Sequence, residues 1–545
     1  MLNLILGKTP FVKTEYVRQL VAERAKNGER CIIIVPEQFS YETEKSMLDL
    51  VGAQNMLFVD VLSMTRLAQL ILSEHADPEE KPEADDGVKM MTMSLALEKL
   101  GDKLQIYRKY TARPQLIAEL VSFATELKQW TVSVDSLDEF SKNAKASSLK
   151  SKLDELVMIL SLYNTMLEKS YYNTDDKLTR LSSVLSECRY FEDKIVAIDG
   201  FTRFTKQEYA VVEKIISQSP QTYITFDSDG GKDGYSLFAN NNRQVELLKS
   251  LANKSSVKIA PIKYVEADFD DNDVFKSLSD GAFYPEFTVP DVSCDGKIKI
   301  VSAPNKADEC EFVAMSIKRL MREKNIRCRD IAVLQRSEGS YDKELSSAFK
   351  RYGVPFYEDA RQAVANEPLA VYLTSLLEIA CNGLNTDVLM RHLKTGLSCL
   401  TADEISKLEN YAFVWRISSA QWRNDFTENP SGFGYKLSDF DRNTLRYLNS
   451  LREKAVAPVL AFKDDFSQAE NEKKAEVIYD YLIKNSIDKK LKRLSDELLK
   501  GGKTALSQEQ DAVWRLVIDM LDKLWNTCKQ SNISDKRFYE LFNIL

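Results

Sequence analysis

The sequence is poor in the residues that build metal sites and disulfide frameworks. Its 545 residues include only two histidines, His75 and His392, and eight cysteines with no C-x-x-C pair. Scattered cysteines of this kind are typical of reduced structural thiols rather than disulfides. His392 and Cys399 are near each other in the sequence, but two candidate ligands do not complete a metal site. We therefore predict no metal ligands.

Long apolar runs and an excess of positive charge are also missing. No run reaches the roughly 20 apolar residues that cross a bilayer as a helix. The N-terminus has no basic segment of the kind that begins a signal peptide. We therefore predict a cytoplasmic protein without a membrane partner. The net charge of −8 argues against non-specific coating of nucleic acid, although it is compatible with a local basic groove.

The first forty residues predict the opening of a parallel nucleotide-binding sheet. Residues 3–6 form a short apolar run, residues 7–12 predict a loop, and helical spacing of apolar residues begins near Lys13. Residues 30–36 then predict a second buried strand. Strand, loop, helix and strand in this order are typical of α/β folds.

The loop contains part of a phosphate-binding pattern. In the complete pattern, G-x-x-x-x-G-K-[ST], backbone amides wrap phosphate, lysine reaches it, and the hydroxyl holds magnesium. Gly7, Lys13 and Thr14 stand at the required spacing. However, Val12 replaces the second glycine and Pro10 removes an amide donor. The pattern therefore predicts a degenerate phosphate loop, and a chance strand–loop–helix is the alternative.

The same layout of sheet and helical segments occurs twice along the chain. Apolar runs predict strands at 57–62, 194–200, 221–227, 297–302 and 330–335, while residues 87–189 and 368–545 are mostly helical in pattern. We predict an α/β protein with two parallel-sheet domains, each with a helical insertion. The predicted boundaries are 1–75 with 190–296 for the first sheet domain, 76–189 for its insertion, 297–380 for the start of the second, and 381–545 for the second insertion.

Five strings, taken in order, resemble one protein family. They are Val35-Pro-Glu-Gln38, Val61-Leu-Ser-Met-Thr-Arg-Leu-Ala68, Ile198-Asp-Gly-Phe-Thr-Arg-Phe-Thr-Lys-Gln-Glu208, Arg329-Asp-Ile-Ala-Val-Leu-Gln-Arg336 and Val354-Pro-Phe-Tyr-Glu-Asp359. Each is weak alone, but their order and spacing resemble the B subunit of AddAB-type helicase–nucleases, which process double-strand breaks for recombination. The resemblance runs through essentially the whole chain.

The resemblance implies two RecA-like domains of the P-loop NTPase, superfamily 1 helicase-like kind. It implies a heterodimer in which the A subunit is the motor, while the helicase-like half of the B subunit lacks translocase activity. That half forms the channel for the 3′-ended strand and recognises the Chi sequence. The implied DNA partners are single strands and duplex ends. A C-terminal nuclease domain with a four-cysteine iron–sulfur cluster is also implied, and we expect the chain to be truncated before it.

The resemblance also points to a second defect at the nucleotide site. A working motor needs an aspartate that positions magnesium and a glutamate that orients water. Asp199 ends its apolar strand as that aspartate should, but Gly200 stands where the glutamate is needed. We therefore expect no ATP hydrolysis, no catalytic residue, and no bound cofactor in this fragment. We expect Lys13 to pair with Asp199 instead.

For DNA binding, the family's sequence-reading positions fall after two predicted strands. By position they match Gln38, Ser40, Met64, Arg66 and Gln69. Glutamine suits adenine edges, and arginine suits guanine or phosphate. Met64 and Gln69 stand where aromatic residues are usual, which weakens base stacking. A structural alternative is that Arg66 caps a helix or pairs with a nearby glutamate, Glu44.

A third candidate for DNA contact is the segment 201–206. There Phe201 and Phe204 alternate with Arg203 and Lys206, which suits stacking combined with phosphate contact. Packing of the two aromatic residues against the following helix explains the pattern equally well.

These patterns predict a catalytically silent, helicase-like part of a DNA end-processing protein that guides and inspects single-stranded DNA. One alternative is an active ATP-driven superfamily 1 helicase, which requires Val12 and Gly200 to be tolerated. The other is a purely structural assembly module.

Overall fold

A computed structural model of the chain describes ten stretches of sequence. They are 1–76, 81–111, 113–231, 237–268, 273–281, 293–294, 296–337, 339–358, 364–528 and 533–544. Parts of the predicted first sheet domain and insertion, and Asp359 of the last family string, lie outside them. Contacts divide the chain into two compact units, Met1–Ala267 with Val364–Leu545, and Asp268–Ala363.

The main sheet of the first unit is parallel and six-stranded. Its strands are β1 Leu2–Gly7, β2 Arg30–Ile34, β3 Val59–Leu62, β6 Lys194–Ile198, β7 Thr222–Asp227 and β8 Lys263–Tyr264, and β4 Glu83–Ala84 pairs separately with β5 Tyr172–Asn173. The order in the sheet is β3-β2-β6-β7-β1-β8. Because β7 lies between β1 and β6, the loops that follow β1 and β6 are two strands apart.

Apolar side chains on both faces of each central strand hold this sheet in place. In β2, Ile32 and Ile34 belong to one buried cluster, while Cys31 and Ile33 belong to another on the opposite face. A parallel sheet covered on both faces requires such continuous apolar runs, since successive side chains alternate between faces. The run that predicted this strand therefore has a direct physical cause.

Among the described residues up to Lys254, ten helices accompany the sheet. They are α1 Pro10–Lys26, α2 Ser40–Asn55, α3 Met64–His75, α4 Asp86–Leu100, α5 Pro114–Gln129, α6 Val134–Lys142, α7 Ser147–Ser170, α8 Lys177–Glu187, α9 Lys206–Gln218 and α10 Ala239–Lys254. Ser63 caps α3 by accepting a hydrogen bond from the Arg66 backbone amide at 3.2 Å.

The two predicted helical insertions share one hydrophobic core. The later helices are α14 Pro368–Asn382, α15 Thr386–Leu393, α16 Ala402–Val414, α17 Asp439–Gln468, α18 Lys474–Lys484, α19 Ile487–Lys500, α20 Thr504–Cys528 and α21 Asp535–Ile544. Buried residues of Ala84–Tyr171 and Leu369–Ile544 form a single cluster. Arg537 joins the two segments, since its Nε lies 3.0 Å from Glu98 Oε2.

The described helices of the second unit are α11 Val274–Gly281, α12 Lys306–Lys324 and α13 Asp342–Tyr352, separated by stretches whose described residues form no α-helix or strand. The predicted strands at 297–302 and 330–335 are wrong for the described residues, which carry no strand there. Ile300 and Leu334 are more than nine-tenths exposed, so these apolar runs lack the neighbouring strands that would bury them. The expected second parallel sheet is therefore not formed by the described residues.

Within the described stretches, no helix combines the length and apolarity needed to cross a membrane.

Candidate functional site at the carboxyl edge of the sheet

The loops that follow the strands of the main sheet surround a cleft of about 480 Å³. Carboxyl ends of parallel strands are where open α/β sheets place their ligands. Three of the predicted nucleotide-site residues, Lys13, Thr14 and Asp199, line this cleft. Gly7 ends β1 beside it. The structure therefore brings the sequence-predicted residues to one edge of the sheet.

The loop after β1 is much shorter than the predicted phosphate loop. Helix α1 begins at Pro10 rather than near Lys13, so only Lys8 and Thr9 separate it from β1. Proline favours the first helical position because its fixed φ suits the helix and its missing N–H would be unsatisfied there anyway. Val12 therefore lies inside the helix, and only two residues connect β1 to it, fewer than the predicted loop provides.

Lys13 is buried and fully engaged by the protein itself. Its Nζ donates to the carbonyl oxygens of Gly7 at 2.8 Å and Thr9 at 2.9 Å, and lies 2.9 Å from Asp227 Oδ1. These contacts use all three donors of the ammonium group. The expected Lys13–Asp199 pair is wrong, because β7 separates β1 from β6 and places its own terminal Asp227 next to the lysine.

A second carboxylate, that of Glu266, accepts a backbone hydrogen bond from the same loop. The Lys8 amide donates to both carboxylate oxygens of Glu266 at 3.2 Å. Gly7 is needed for packing, since a Cβ there would lie 1.9 Å from the Val265 carbonyl oxygen. The amide and the ammonium group that would face phosphate in a complete loop therefore each meet a carboxylate of this chain.

Asp199 and Gly200 also have structural partners. Asp199 is buried, and its Oδ1 accepts a hydrogen bond from Thr225 Oγ1. Gly200 has a φ of +79°, and a Cβ there would lie 3.4 Å from Pro36 Cδ and 3.6 Å from the Phe39 ring. Because a side chain is disfavoured at this φ, the backbone favours glycine at the position where a motor needs glutamate.

Two models of known families together match nearly the whole chain. The family described as "ADDB, N-terminal" matches residues 4–279, half of the chain. The chain belongs to the AddB family. The "UvrD-like helicase C-terminal domain" matches residues 270–545.

Relatives of this AddB-family chain agree with that membership. It is 27% identical over 555 residues to the B subunit of the ATP-dependent helicase/deoxyribonuclease of Caldanaerobacter subterraneus subsp. tengcongensis, covering 100% of this chain and 48% of that protein. It is 28% identical over 549 residues to the protein of the same name from Clostridium novyi, covering 99% and 47%. The chain therefore spans about half the length of the curated relatives it matches.

The predicted DNA-contacting residues of the AddB-family chain divide by exposure. Gln38, Arg66, Gln69 and Arg203 are exposed, whereas Ser40 and Met64 are buried. Met64 packs in the sheet core, and Ser40 Oγ has no hydrogen-bond partner among the described residues. Of these six side chains, four are therefore exposed and two, Ser40 and Met64, are buried.

Arg66 connects two of the predicted loops. Its Nε lies 3.4 Å from Glu37 Oε1, and both side chains are more than half exposed. The alternative in which Arg66 pairs with Glu44 is wrong, because the short 3-10 turn Glu37–Phe39 brings the earlier glutamate to the start of α3. An exposed pair of this kind contributes little to stability and leaves the guanidinium open to a ligand.

In the segment 201–206, the aromatic residues are structural and the arginine is exposed. Phe204 is buried, with its ring 5.4 Å from Tyr209 and 5.7 Å from Phe226. The Phe201 ring lies 5.2 Å from Phe204. Core packing therefore explains Phe204, and the two cations of the segment, Arg203 and Lys206, are exposed.

Sequence reasoning missed several residues at this edge. Phe11, Phe39 and Tyr41 are exposed aromatic residues there, and Phe11 and Phe39 line the cleft. The sequence signal that could have identified Phe11 was its position, a phenylalanine two residues before the lysine of the phosphate-loop pattern. Asp227 was visible as the polar end of a predicted strand, whereas no local pattern marked Glu266. In the described part of the chain, no cluster of His, Cys, Asp or Glu could hold a metal.

Proposed function

We propose that this chain is the helicase-like, ATPase-silent half of a helicase–nuclease subunit that guides and inspects single-stranded DNA. In this proposal the main sheet is a RecA-like domain of the helicase-like half. Chi-type recognition would take place on the exposed edge of the sheet during the processing of double-strand breaks.

One observation supports the proposal that the nucleotide site is inactive. Lys13 meets Gly7, Thr9 and Asp227 within 2.9 Å, and the Lys8 amide meets Glu266. Nucleotide phosphates carry negative charge and would have to displace both carboxylates or bind beside them, at a high electrostatic cost in a partly buried site. The phosphates of ATP therefore do not fit the residues present.

The same edge supports contact with a single strand. Exposed Gln38, Arg66 and Arg203 supply base-edge and phosphate partners, while Phe39 and Tyr41 supply exposed rings. Single-strand sites combine cations with rings on which bases stack. These aromatic residues compensate for Met64 and Gln69, which stand where the family usually has rings.

We infer the partner subunit from the names of the relatives rather than from the geometry of the cleft. The relatives are named as the B subunit of an ATP-dependent helicase/deoxyribonuclease, and we propose that an A subunit supplies ATP-driven movement in a heterodimer. We propose that nuclease chemistry and any iron–sulfur cluster belong to the half of those relatives that this chain does not span. The proposed compartment is the cytoplasm.

The first test is a titration of this chain with a fluorescent ATP analogue and magnesium. We expect no saturable binding by the chain or by the Lys13→Ala variant. The matched variant Asp227→Asn removes the carboxylate that engages Lys13 while preserving its shape. Saturable binding that is present in the unaltered chain and lost in Lys13→Ala would contradict the proposal and favour the active helicase.

The second test concerns DNA. Fluorescence anisotropy with a labelled oligothymidylate should show binding by this chain, either alone or docked on an A subunit. Absence of binding in both states would contradict strand guidance and favour the structural assembly module. A change in affinity when a Chi-like sequence replaces oligothymidylate would support inspection.

A further inference from the structure

A loop between α16 and α17 holds large aromatic side chains in solvent. It covers residues 429–437, and its Phe433 is 89% exposed and its Tyr435 71% exposed. Gly432 and Gly434 flank Phe433 with φ values of +103° and +85°, a conformation that favours glycine. Apolar rings placed in water at a tight turn have no role in the core of this unit.

Buried polar contacts hold this loop in a defined shape. Asn429 is buried, its Nδ2 donates to the Tyr435 carbonyl at 3.0 Å, and its own carbonyl accepts from Trp415 Nε1 at 3.1 Å. Ser431 Oγ donates to Asp441, which also closes the capping box at Ser438 at the start of α17. The exposed rings are therefore preorganised, which reduces the entropy lost when a ligand binds.

Further aromatic side chains lie beside the loop. The Phe433 ring is 5.6 Å from the Trp415 ring at the end of α16. Phe413 on α16 and Phe440 on α17 are each more than three-quarters exposed, and Tyr447 is partly exposed on α17. Phe440 and Tyr447 are seven residues apart and share a helix face. We refer to these exposed side chains of the loop and its two flanking helices as the exposed aromatic surface, within which Phe433 and Trp415 are in ring contact.

Cations outnumber available carboxylates in the same segment. Between Tyr411 and Ser450 the sequence has five cations and four carboxylates. Three of these carboxylates are engaged locally: Asp425 with Arg452, Asp439 with Arg442, and Asp441 with Ser431 and Ser438. The exposed cations without an ion pair to a described carboxylate are Arg416, Arg423, Lys436 and Arg446.

We propose that this exposed aromatic surface is a second binding site for single-stranded nucleic acid. Rings stack on bases without requiring a particular sequence, and the unpaired cations contact the phosphates between them. The inference goes beyond the function proposed for the sheet edge, because different residues in a different part of the first unit carry it.

The charge balance favours nucleic acid over a protein partner. Aromatic residues and arginine are common at protein interfaces as well. Here Asp425 and Asp439 pair with arginines, and four exposed cations of the segment have no ion pair to a described carboxylate. That combination complements a polyanion with planar bases, whereas a protein interface does not require such cations.

The test measures binding of a fluorescein-labelled oligothymidylate of about 20 nucleotides, long enough to span one such site. All proteins carry Arg66→Ala and Arg203→Ala, so that the sheet edge does not mask the loop. Adding Phe433→Ala and Tyr435→Ala should weaken binding about tenfold or more. Adding Lys436→Gln and Arg446→Gln instead should reduce the slope of log Kd against log salt by about 1.4, since each single-strand phosphate contributes about 0.7.

Phe140→Ala is the matched control, because Phe140 is a 61% exposed ring on α6 outside this surface, and it should leave affinity unchanged. Photocrosslinking with 5-iododeoxyuridine should label the peptide that contains Phe433 and Tyr435. Unchanged affinity in the loop variant, together with crosslinks only elsewhere, would overturn the inference. So would unchanged DNA affinity combined with loss of docking on the A subunit, which would assign the surface to a protein interface.

The design separates the two proposals. If Arg66→Ala and Arg203→Ala alone change nothing, the sheet-edge function fails while the loop can still be tested. If adding the loop substitutions to that background leaves DNA affinity unchanged, only the proposal of a second site fails.

Discussion

Lys13 and Arg66 are both cations at the carboxyl edge of one sheet, yet the protein uses them differently. Lys13 is 2% exposed and meets three acceptors of the chain within 2.9 Å. Arg66 is 54% exposed and meets one exposed carboxylate at 3.4 Å. A cation with saturated donors stabilises the fold, whereas an exposed and weakly paired cation is available to a ligand.

The contrast separates cations that the chain itself engages from cations that a ligand can reach. Lys13 and Thr14 remain in place, but Asp227 and Glu266 supply the negative charge that phosphate would bring. The neighbouring loops keep their polar groups in solvent.

The largest expected effect is on stability. Lys13→Ala should lower the free energy of unfolding by about 3–4 kcal/mol, because it leaves Asp227 and two carbonyl groups without their partner in a partly buried site. Arg66→Ala should change it by less than about 0.5 kcal/mol. Urea unfolding of both variants measures the difference. Equal effects would show that Lys13 is not the internally saturated group described here.

His392 is a buried basic group that, unlike Lys13, has no carboxylate partner among the described residues, and we expect it to lower the stability of the fold at acid pH. His392 is buried, donates from Nδ1 to the Tyr372 carbonyl at 3.0 Å, and stacks on the Tyr372 ring. Burial lowers the pKa of His392 from 6.5 to about 4. The unfolded chain therefore binds the proton first, and up to roughly 3 kcal/mol of stability is lost as pH falls from about 6.5 to 4.

The control for this pH dependence is His392→Phe, which keeps a stacked ring and cannot titrate. Urea unfolding at several pH values between about 7 and 4 should give a flatter profile for this variant. The same slope in both proteins would assign the pH dependence to other groups.

A smaller effect is expected on DNA affinity at the sheet edge. Arg66→Ala with Arg203→Ala should weaken oligothymidylate binding about tenfold and reduce the salt slope by about 1.4, because two phosphate contacts are removed. Met64→Leu is the matched control, since Met64 is buried in the core, and it should leave affinity unchanged. A stronger effect from Met64→Leu would mean that the edge rearranges to expose this side chain.

The smallest effect concerns Gly200. Gly200→Ala should cost about 1–2 kcal/mol of stability, because its φ of +79° disfavours a side chain. Gly28 has a φ of +80° with open space around a Cβ, so Gly28→Ala measures the backbone cost alone. The excess cost at Gly200 then reports contact with Pro36 and Phe39. If both substitutions lower the free energy of unfolding equally, contact with Pro36 and Phe39 does not contribute to the cost at Gly200.

The main sheet was largely predictable because its strands depend on local patterns. The apolar runs at 30–36 and 221–227 correspond to β2 and β7, since burial of both faces demands consecutive apolar residues. The runs at 297–302 and 330–335 have similar composition but form no strand among the described residues. A run of this kind shows only that a strand can form, because pairing depends on neighbours from elsewhere in the chain.

The candidate site was predictable in place but not in its contacts. Lys13 and Asp199 were assigned to one edge because both follow apolar strands. The partner of Lys13 depends on strand order, which puts β7 between them. Glu266 joins the loop across more than 250 residues of sequence, a contact that no local pattern encodes.

The sequence by itself determined the family, the apolar strands of the main sheet, the helical segments and the incomplete phosphate-binding pattern, because these follow from short-range spacing and residue type. Tertiary structure alone decided that Asp227 and Glu266 engage the old phosphate loop, that Met64 is buried while Arg66 is exposed, and that the two helical segments share one core. Those outcomes depend on which distant segments come into contact. Burial and charge pairing are set by these contacts, because the local sequence does not specify the partner of a side chain.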